Sequence, residues 1–174
     1  NYQQNLMRVH DIAVVGASGL VGRKILELIQ ERKFEVGKIV AIASDASAGK
    51  ELNIKGKTFR LQKLEPHVFK NLEFAFFSAG GTISTEWAPK AAADGCIVID
   101  NSSAFRMKDD VPLVVPEVNR QDMFKNKGII ANPNCSTIQL VVALKPLDNA
   151  FKIKRVVVST YQSVSGAGYK GVSA

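Results

Sequence analysis

The sequence predicts an α/β fold with a mostly parallel sheet and helices on both of its faces. Short apolar runs typical of buried strands recur, and segments with apolar side chains at helical spacing lie between them, most clearly at residues 21–29. Strands that alternate with helices pair in parallel, because each crossover returns the chain to the same end of the sheet. The runs lie at residues 10–15, 38–43, 72–77, 96–100 and 128–131, with a further one at 155–161.

Length, composition and charge restrict the possible classes of protein. A chain of 174 residues, of which 46% are hydrophobic, can bury one full core or one core plus part of a second. No apolar run reaches membrane-spanning length and no signal peptide is visible, so we expect a cytoplasmic protein without a membrane partner. The 2 cysteines lie outside any metal-ligand spacing, which argues against a disulfide and against a metal site. The net charge of +7 is dispersed, which favours small anionic ligands over nucleic acid.

A glycine-containing turn joins the first predicted strand to the first predicted helix. Its spacing is G-x-x-G-x-x-G, at residues 16–22, and strand, turn and helix in this order are typical of a dinucleotide-binding unit of Rossmann-like type. Gly16 permits the tight turn, Gly19 lets a pyrophosphate approach the backbone, and Gly22 lets the helix pack on the strand. A sharp turn also needs glycine for steric reasons alone, but both flanks fit, so we predict cofactor binding.

The loop at residues 44–50 follows the second predicted strand, where a Rossmann-like unit contacts the ribose of its cofactor. Ser44, Ser47 and Lys50 suit the 2′-phosphate of NADP, whereas a carboxylate at Asp45 suits the free ribose of NAD. A solvated loop without a ligand is the third interpretation. The sequence leaves the three open.

Two later strands also end in segments suited to ligands. Ser78, Ala79 and Gly80 are small and leave room at the edge of the sheet where ligands bind, although they also suit a plain turn. Arg106 is a candidate fork for a phosphate or carboxylate, and Asn101 is a neutral donor beside it. An arginine in a loop is as often simply solvated.

Cys135 is the candidate nucleophile. It follows a short apolar strand and precedes apolar positions at helical spacing, which places it in the first turn of a helix. Unpaired N–H groups and the positive end of the helix dipole favour the reactive thiolate there. Asn134, Ser136 and Thr137 can cap the helix and donate to an oxyanion. Cys96, within a buried strand, is predicted to belong to the core.

Several further elements are predicted from local signals. Residues 51–59 suggest an exposed hairpin, and residues 84–94 a helix whose start is delayed by Pro89. Asn119 is expected to cap a short helix that runs to residue 124. Pro146 is expected to kink or end the helix that follows Cys135, and residues 155–161 are expected to form a strand.

Six segments, taken in order, resemble the aspartate-β-semialdehyde dehydrogenases of bacterial type. They are G-A-S-G-L-V-G, S-A-G-G, D-N-S-S-A-F-R, V-P-E-V-N, N-P-N-C-S-T and S-T-Y-Q-S-V-S-G-A-G, and the likeness extends from about residue 8 to the end of the chain. The resemblance implies NADPH-dependent conversion of L-aspartyl-4-phosphate to L-aspartate 4-semialdehyde, in lysine, threonine and methionine biosynthesis. It also implies a homodimer or homotetramer, with the small-molecule substrate as the other partner.

The resemblance assigns roles to particular residues. Cys135 matches the nucleophile that forms a thioacyl intermediate, Arg106 with nearby Asn101 matches the phosphate site, and Gln162 matches the residue that orients the substrate. The nucleotide positions are Ser18, Gly19, Leu20 and Val21 at the pyrophosphate, Ala46 and Ser47 at the 2′-phosphate, and Ser165 and Gly166 in a return contact. Asp45 departs from the cation expected near a 2′-phosphate.

The same resemblance implies two domains: an NAD(P)-binding domain at residues 7–132, and the start of an α+β catalytic and dimerisation domain at residues 133–174. Thioester chemistry needs a general acid or base, yet His10 and His67 both lie at positions unsuited to it. We therefore expect a fragment that has no turnover alone. Residues 1–6 are polar and without pattern, so we expect the natural start at Met7. The alternatives are an N-acetyl-glutamyl-phosphate reductase and a nucleotide-binding module without catalysis.

Overall fold

The structure is a computed structural model that describes residues 9–162 and 164. Its central element is a five-stranded parallel sheet. The strand order is β2-β1-β5-β6-β7, and every neighbouring pair is parallel. The strands are β1 (His10–Val15), β2 (Val36–Ile42), β5 (Phe74–Phe77), β6 (Ile97–Asp100) and β7 (Ile129–Ala131). β3 (Glu51–Ile54) and β4 (Lys57–Arg60) form the predicted hairpin, which is antiparallel and separate from the main sheet. It is not wholly exposed as expected, because Leu52 and Phe59 are buried in a hydrophobic cluster.

Helices connect the parallel strands. They are α1 (Leu20–Glu31), α2 (Gly81–Ala93), α3 (Pro116–Asn119), which continues into a 3-10 helix (Arg120–Lys125), and α4 (Cys135–Phe151). Within the described ranges, no helix combines the length and the apolar character needed to cross a membrane.

Apolar side chains alternate between the two faces of the sheet along each strand, and they form one hydrophobic cluster on each face. Ala13 and Val15 belong to the cluster that includes Ala88 of α2, whereas Val14 belongs to the cluster that includes Leu26 of α1. Successive side chains of a strand point to opposite faces, so the two helices cover opposite sides. The predicted α/β fold with helices on both faces is therefore confirmed.

The strand order reverses between β1 and β5. From β1 the chain moves outward to β2 on one side, and then returns past β1 to build β5, β6 and β7 on the other. At such a reversal the loops beyond the carboxyl ends of the two central strands diverge to opposite faces and leave a crevice, where ligands of open α/β sheets bind. The glycine turn follows β1 and Ser78 follows β5, so both flank this crevice.

Neither proline ends its helix. The late start predicted for α2 is wrong, because α2 begins at Gly81 and Pro89 lies inside it. Pro146, which was expected to kink or end α4, does not end it, since α4 continues to Phe151. A proline removes one helical hydrogen bond. In α2, the burial of Ser84, Ala88 and Ala91 against the sheet holds the helix together around that defect. Both prolines are exposed. The backbone carbonyl four residues before each proline, which loses its N–H donor, is therefore near water.

The strand predicted at residues 155–161 is wrong. These residues form no strand, and Val157 and Tyr161 are 85% and 100% exposed, because no strand of the described chain pairs with this segment. Asn119 lies at the N-cap position of the 3-10 helix, as predicted, but its side chain makes no capping hydrogen bond. That side chain accepts from the N–H of Val115 and donates to the carbonyl of Leu113, and so ties down the chain before α3.

Candidate active site

The glycine turn after β1 is packed too tightly for any side chain at two of its glycines. Gly16 has φ +88°, and a Cβ built on it would lie 2.7 Å from the backbone oxygen of Ser78. A Cβ on Gly22 would lie 2.1 Å from the backbone oxygen of Gly16. The N–H groups of Gly16 and Ala17 both donate to the carbonyl of Ile42, at 2.9 Å each. The turn is therefore fixed against the ends of both neighbouring strands.

The N-terminus of α1 opens onto this turn without a side-chain cap. Gly19 is the N-cap residue and offers no side-chain oxygen, and the first helical turn contains no acidic residue. Leu20 and Val21 begin the helix and are partly exposed, at 37% and 47%. Unpaired N–H groups and the helix dipole together attract an anion. The residues present at this turn, including half-buried Ser18, therefore fit the pyrophosphate of a dinucleotide.

The segment at Ser78, Ala79 and Gly80 lies directly against the glycine turn. Ser78 is bound to the end of β1, since its N–H donates to the carbonyl of Val15 at 2.9 Å. Gly80 has φ +90°, and nothing lies within 4 Å of a Cβ built on it. This segment therefore provides open space beside the turn, as its small residues predicted.

The loop between β2 and β3 is mostly exposed. Its backbone forms a turn in which the carbonyl of Ser44 accepts from the N–H groups of Ser47 and Ala48, at 2.8 and 2.9 Å. Ser44, Asp45 and Ala46 are exposed, and Ser47 is half-buried. Two hydroxyls and one carboxylate thus lie at the end of β2, and neither the NADP nor the NAD interpretation is excluded by the loop alone.

Arg106 and Asn101 lie together, as the sequence predicted, at the carboxyl ends of β6 and β7. The Arg106 guanidinium donates to the carbonyl oxygens of Asn132 at 3.0 Å and Asn101 at 3.1 Å. The Asn132 amide in turn donates to the side-chain oxygen of Asn101 at 2.7 Å. Phe105 is buried in the core. The guanidinium is therefore held in place by two strand ends and retains further N–H groups for an anion.

A buried carboxylate fixes the loop that carries Arg106. Asp100 is 0% exposed and accepts from the Ser84 hydroxyl at 2.7 Å, the Ser102 hydroxyl at 2.7 Å and the Ser102 N–H at 3.1 Å. The Ser102 hydroxyl also accepts from the N–H of Ala104 at 3.1 Å. Three donors compensate for the burial of this carboxylate, which links α2, β6 and the loop rigidly.

Cys135 is exposed and is the first residue of α4. Asn134 caps the helix, since its side-chain oxygen accepts from the N–H of Thr137 at 2.9 Å. The Gln162 amide donates to the Ser136 hydroxyl at 3.1 Å, so the predicted Gln162 lies next to the residue that follows the thiol. The thiol therefore has both the helix position and the exposure that a nucleophile needs.

The thiol and the glycine turn share one edge of the sheet. β1 and β7 are parallel and are separated by β5 and β6, so their carboxyl ends lie at the same edge, roughly 14 Å apart at the spacing of neighbouring strands. Asn101 and Arg106 follow β6, between them. A dinucleotide held at the turn would therefore lie at the same edge of the sheet as Cys135.

Cys96 is buried and its thiol is less acidic than an ordinary cysteine thiol, whereas Cys135 is exposed. It is 1% exposed, and its thiol donates to the carbonyl of Leu72 at 3.1 Å. Burial, with a further contribution from Asp94, raises the pKa of the Cys96 thiol from 9.0 to about 11. At neutral pH this shift alone lowers the thiolate fraction about 100-fold.

We expect iodoacetamide to label Cys135 at least about 100 times faster than Cys96 at neutral pH, because only the exposed thiol is accessible. Labelling of Cys96 should increase about tenfold per pH unit until the pH approaches 11, its raised pKa. Peptide mass spectrometry after timed quenching measures both rates. A Cys135→Ser variant is the control for assignment, and equal rates in the folded chain would contradict the structure.

Both histidines lie away from this edge. His10 is in β1 at the opposite, amino-terminal end, where it pairs with Glu73. His67 is 65% exposed and lies 3.6 Å from Asp94. The expectation that neither serves the thiol agrees with these positions. Ser165 and Gly166, the predicted return contact with the cofactor, lie outside the described residues.

Sequence reasoning missed three residues that shape the site. Asn132 binds both Arg106 and Asn101, and its side-chain oxygen is buried without a partner in the described ranges. Asp100 holds the loop that carries Arg106, and the Arg23 side chain donates to the carbonyl of Ser18 at 3.0 Å. Polar residues at strand ends were the available signal for Asn132 and Asp100.

Parallel strands with a glycine turn at the reversal of strand order define a nucleotide-binding protein of Rossmann-like class, here with a thiol at the same edge of the sheet. Comparison with known families is more specific. Residues 11–126 match the family described as semialdehyde dehydrogenase, NAD binding domain, and residues 144–174 match its dimerisation domain. The chain belongs to the semialdehyde dehydrogenase family, and the predicted resemblance is confirmed.

Individual relatives agree with this assignment. The aspartate-semialdehyde dehydrogenase of Aquifex aeolicus is 60% identical over 164 residues, which are 92% of this chain and 48% of the relative. A crystal structure of aspartate semialdehyde dehydrogenase II from Vibrio cholerae, complexed with ASA, matches with 50% identity and TM-score 0.90, over 95% of this chain and 50% of that one. A Candida albicans aspartate semialdehyde dehydrogenase with NADP matches with 27% identity and TM-score 0.72, over 84% and 48%. The chain spans about half the length of the relatives it matches.

Proposed function

We propose that this chain provides the cofactor site and the nucleophile of an aspartate-semialdehyde dehydrogenase. The reaction is NADPH-dependent conversion of L-aspartyl-4-phosphate to L-aspartate 4-semialdehyde and phosphate, in lysine, threonine and methionine biosynthesis. The observation that carries the proposal is the exposed thiol of Cys135 at the start of α4, at the edge of the sheet that also holds the glycine turn. Relatives with this name at 50% identity and above support the choice of substrate.

In this proposal Cys135 attacks the acyl carbon of the acyl phosphate. A sulfur–carbon bond forms, the bond from carbon to the phosphate oxygen breaks, and phosphate leaves with the electron pair of that bond. N–H groups at the start of α4 are positioned to stabilise the oxyanion that develops during the attack. The Gln162 amide, bound to Ser136, orients the substrate at the thiol.

Arg106 binds the phosphate group in this proposal. Its guanidinium is held by the carbonyl oxygens of Asn101 and Asn132, and its remaining N–H groups are available to an anion. Asn132 is followed after two residues by Cys135, so the anchor of the arginine and the nucleophile belong to one short segment. A cation so close to the nucleophile in the chain would stabilise the charge that develops on the leaving phosphate.

The nucleotide site is formed by the turn at residues 16–22 together with Ser78, Ala79 and Gly80, and we assign the 2′-phosphate to the loop with Ser44, Ala46 and Ser47. Bound NADPH supplies the hydride that turns the thioester into the aldehyde. The residues of this chain hold the nucleotide, leave space for it at Gly80 and present the thiol along the same edge.

Several finer assignments belong to the same proposal. We place the boundary between the cofactor domain and the catalytic domain near residue 132. We assign the general acid or base to the half of the relatives' length that this chain does not span. The same half is proposed to complete a homodimer or homotetramer. Two cysteines without a disulfide between them suit the cytoplasm. An N-acetyl-glutamyl-phosphate reductase would use a similar thiol, but the two relatives described above at 60% and 50% identity are named aspartate-semialdehyde dehydrogenases.

A chimera tests the proposed reaction. We join this chain to the remaining half of the Aquifex aeolicus relative and follow NADP reduction at 340 nm. We expect turnover of L-aspartate 4-semialdehyde that requires inorganic phosphate, because phosphate must release the acyl group from the thiol. The intact Aquifex aeolicus enzyme is the positive control. A folded chimera that oxidises the aldehyde without phosphate, or that prefers N-acetyl-glutamate 5-semialdehyde, would contradict the proposal.

A further inference from the structure

Arg23 is the cation that the structure places beside the glycine turn. It lies in the second turn of α1, and its Nε–H donates to the carbonyl of Ser18 at 3.0 Å. This hydrogen bond uses one of the five guanidinium N–H groups and leaves the terminal ones directed elsewhere. A guanidinium held at this turn is close to where a dinucleotide enters the site.

The helix face that carries Arg23 can be located from its neighbours. Arg23, Glu27 and Glu31 follow one another at intervals of four residues and therefore share a face of α1. Lys55, in the turn of the β3–β4 hairpin, pairs with both Glu31 and Glu27. That face of α1 is therefore directed towards the hairpin, and Arg23 is its member nearest the glycine turn.

The loop at residues 44–50 connects the end of β2 to the hairpin. It follows Ala43, next to Ile42, whose carbonyl accepts from the N–H groups of Gly16 and Ala17, and it precedes Glu51, the first residue of β3. The two ends of the loop are thus tied to the glycine turn and to the hairpin, the two elements that flank the face of Arg23. These connections point to one space that is bordered by both the loop and the guanidinium.

The charge of Arg23 is not neutralised by the acidic residues of its own face. Glu27 is held by Lys24 at 2.8 Å and by Lys55 at 3.4 Å, and Glu31 by Lys55. Lys24 chiefly, and Lys55 further, lower the pKa of Glu27, so both lysines are engaged with that carboxylate. Across the described ranges, no carboxylate forms an ion pair with Arg23.

We propose that Arg23 binds the 2′-phosphate of NADP, opposite the hydroxyls of Ser44 and Ser47. This inference rests on the proposed nucleotide site and adds its specificity-determining residue. It explains how a loop with a carboxylate at Asp45 and without an arginine of its own can still accept NADP, because α1 supplies the cation. A planar guanidinium can bind a phosphate through two parallel hydrogen bonds.

Titration of the 174-residue chain with NADPH and with NADH tests this inference, because the two probes differ only in the 2′-phosphate. Nucleotide fluorescence reports binding without any turnover. We expect the wild-type chain to bind NADPH more tightly than NADH. The Arg23→Gln variant should weaken NADPH binding about 10- to 100-fold and change NADH binding less than about twofold. Arg23→Lys should restore part of the loss, because it keeps the charge.

Two other variants make the outcome specific. Lys24→Gln removes a positive charge from the neighbouring position and should leave the preference for NADPH intact. Lys50→Gln tests the cation in the loop itself. If Lys50→Gln abolished the preference for NADPH and Arg23→Gln did not, the assignment would be overturned. Equal weakening of both nucleotides by Arg23→Gln would also overturn it, because Arg23 would then contact a shared part of the cofactor. A wild-type chain that binds neither nucleotide would refute the nucleotide site itself. Arg23 is exposed, and thermal melting checks that each variant folds.

Discussion

Replacing Cys135 by serine is expected to reduce turnover of the chimera at least about 1,000-fold. A serine hydroxyl is almost entirely protonated near neutral pH, and it is a much weaker nucleophile than a cysteine thiolate. Serine also forms an ester, which accepts hydride less readily than the thioester. Progress curves at 340 nm with saturating substrate measure the loss as a decrease in kcat.

The matched control is Cys96→Ser in the same chimera. Cys96 is buried beneath the sheet, where its thiol donates to the carbonyls of Phe69 and Leu72, and a serine hydroxyl can donate to the same two oxygens. We expect kcat within about threefold of wild type and some loss of stability, because the smaller oxygen fills the space less well. A Cys135→Ser variant with comparable kcat would show that Cys135 is not the nucleophile.

Replacing Gly22 by alanine is expected to destabilise the chain by about 3 kcal/mol. The added Cβ would lie 2.1 Å from the backbone oxygen of Gly16 and 2.7 Å from its carbonyl carbon. Both are backbone atoms of a turn that is tied to β2, so they cannot move aside as the end of a flexible side chain would. A loss of this size corresponds to roughly 10 °C in melting temperature, and displacement of the turn should also abolish NADPH binding.

Gly81→Ala is the matched control for this variant. Gly81 is the first residue of α2, just as Gly22 lies in the first turn of α1. The nearest atom to a Cβ built on Gly81 is the Ser103 hydroxyl oxygen at 3.9 Å, an ordinary contact. We expect Gly81→Ala to leave the melting temperature unchanged or slightly higher. An unchanged melting temperature and unchanged NADPH affinity in Gly22→Ala would contradict the packing of the glycine turn.

The sequence predicted the parts of the fold that local patterns determine. The apolar run before Gly16 and the helical spacing after it made β1, the glycine turn and α1 recognisable, because each follows from residue type and period alone. The same holds for Cys135, since a strand that changes to a helix at a thiol is visible in the apolar pattern. Arg106 and Asn101 both follow the strand at residues 96–100, so the sequence already grouped them as one site, and in the structure Arg106 donates to the carbonyl of Asn101.

The sequence could not predict features that depend on tertiary contacts. Pro146 is compatible with α4 because the defect faces solvent, and that exposure is absent from any local pattern. Residues 155–161 have the composition of a strand, but a strand forms only where another strand pairs with it. The position of Arg23 relative to the loop at residues 44–50 depends on the pairing of Lys55 with Glu27 and Glu31, which joins segments far apart in the chain.

The most direct test of the account is intact-mass spectrometry of the chimera mixed with L-aspartyl-4-phosphate in the absence of nucleotide. We predict one aspartyl group per chain, located on Cys135 by peptide mapping, with one equivalent of phosphate released. The Cys135→Ser variant should show no thioester at this position and Cys96→Ser should behave as wild type. An adduct on another residue, or steady turnover with NADPH without any adduct on Cys135, would contradict the central claim that this thiol captures the acyl group.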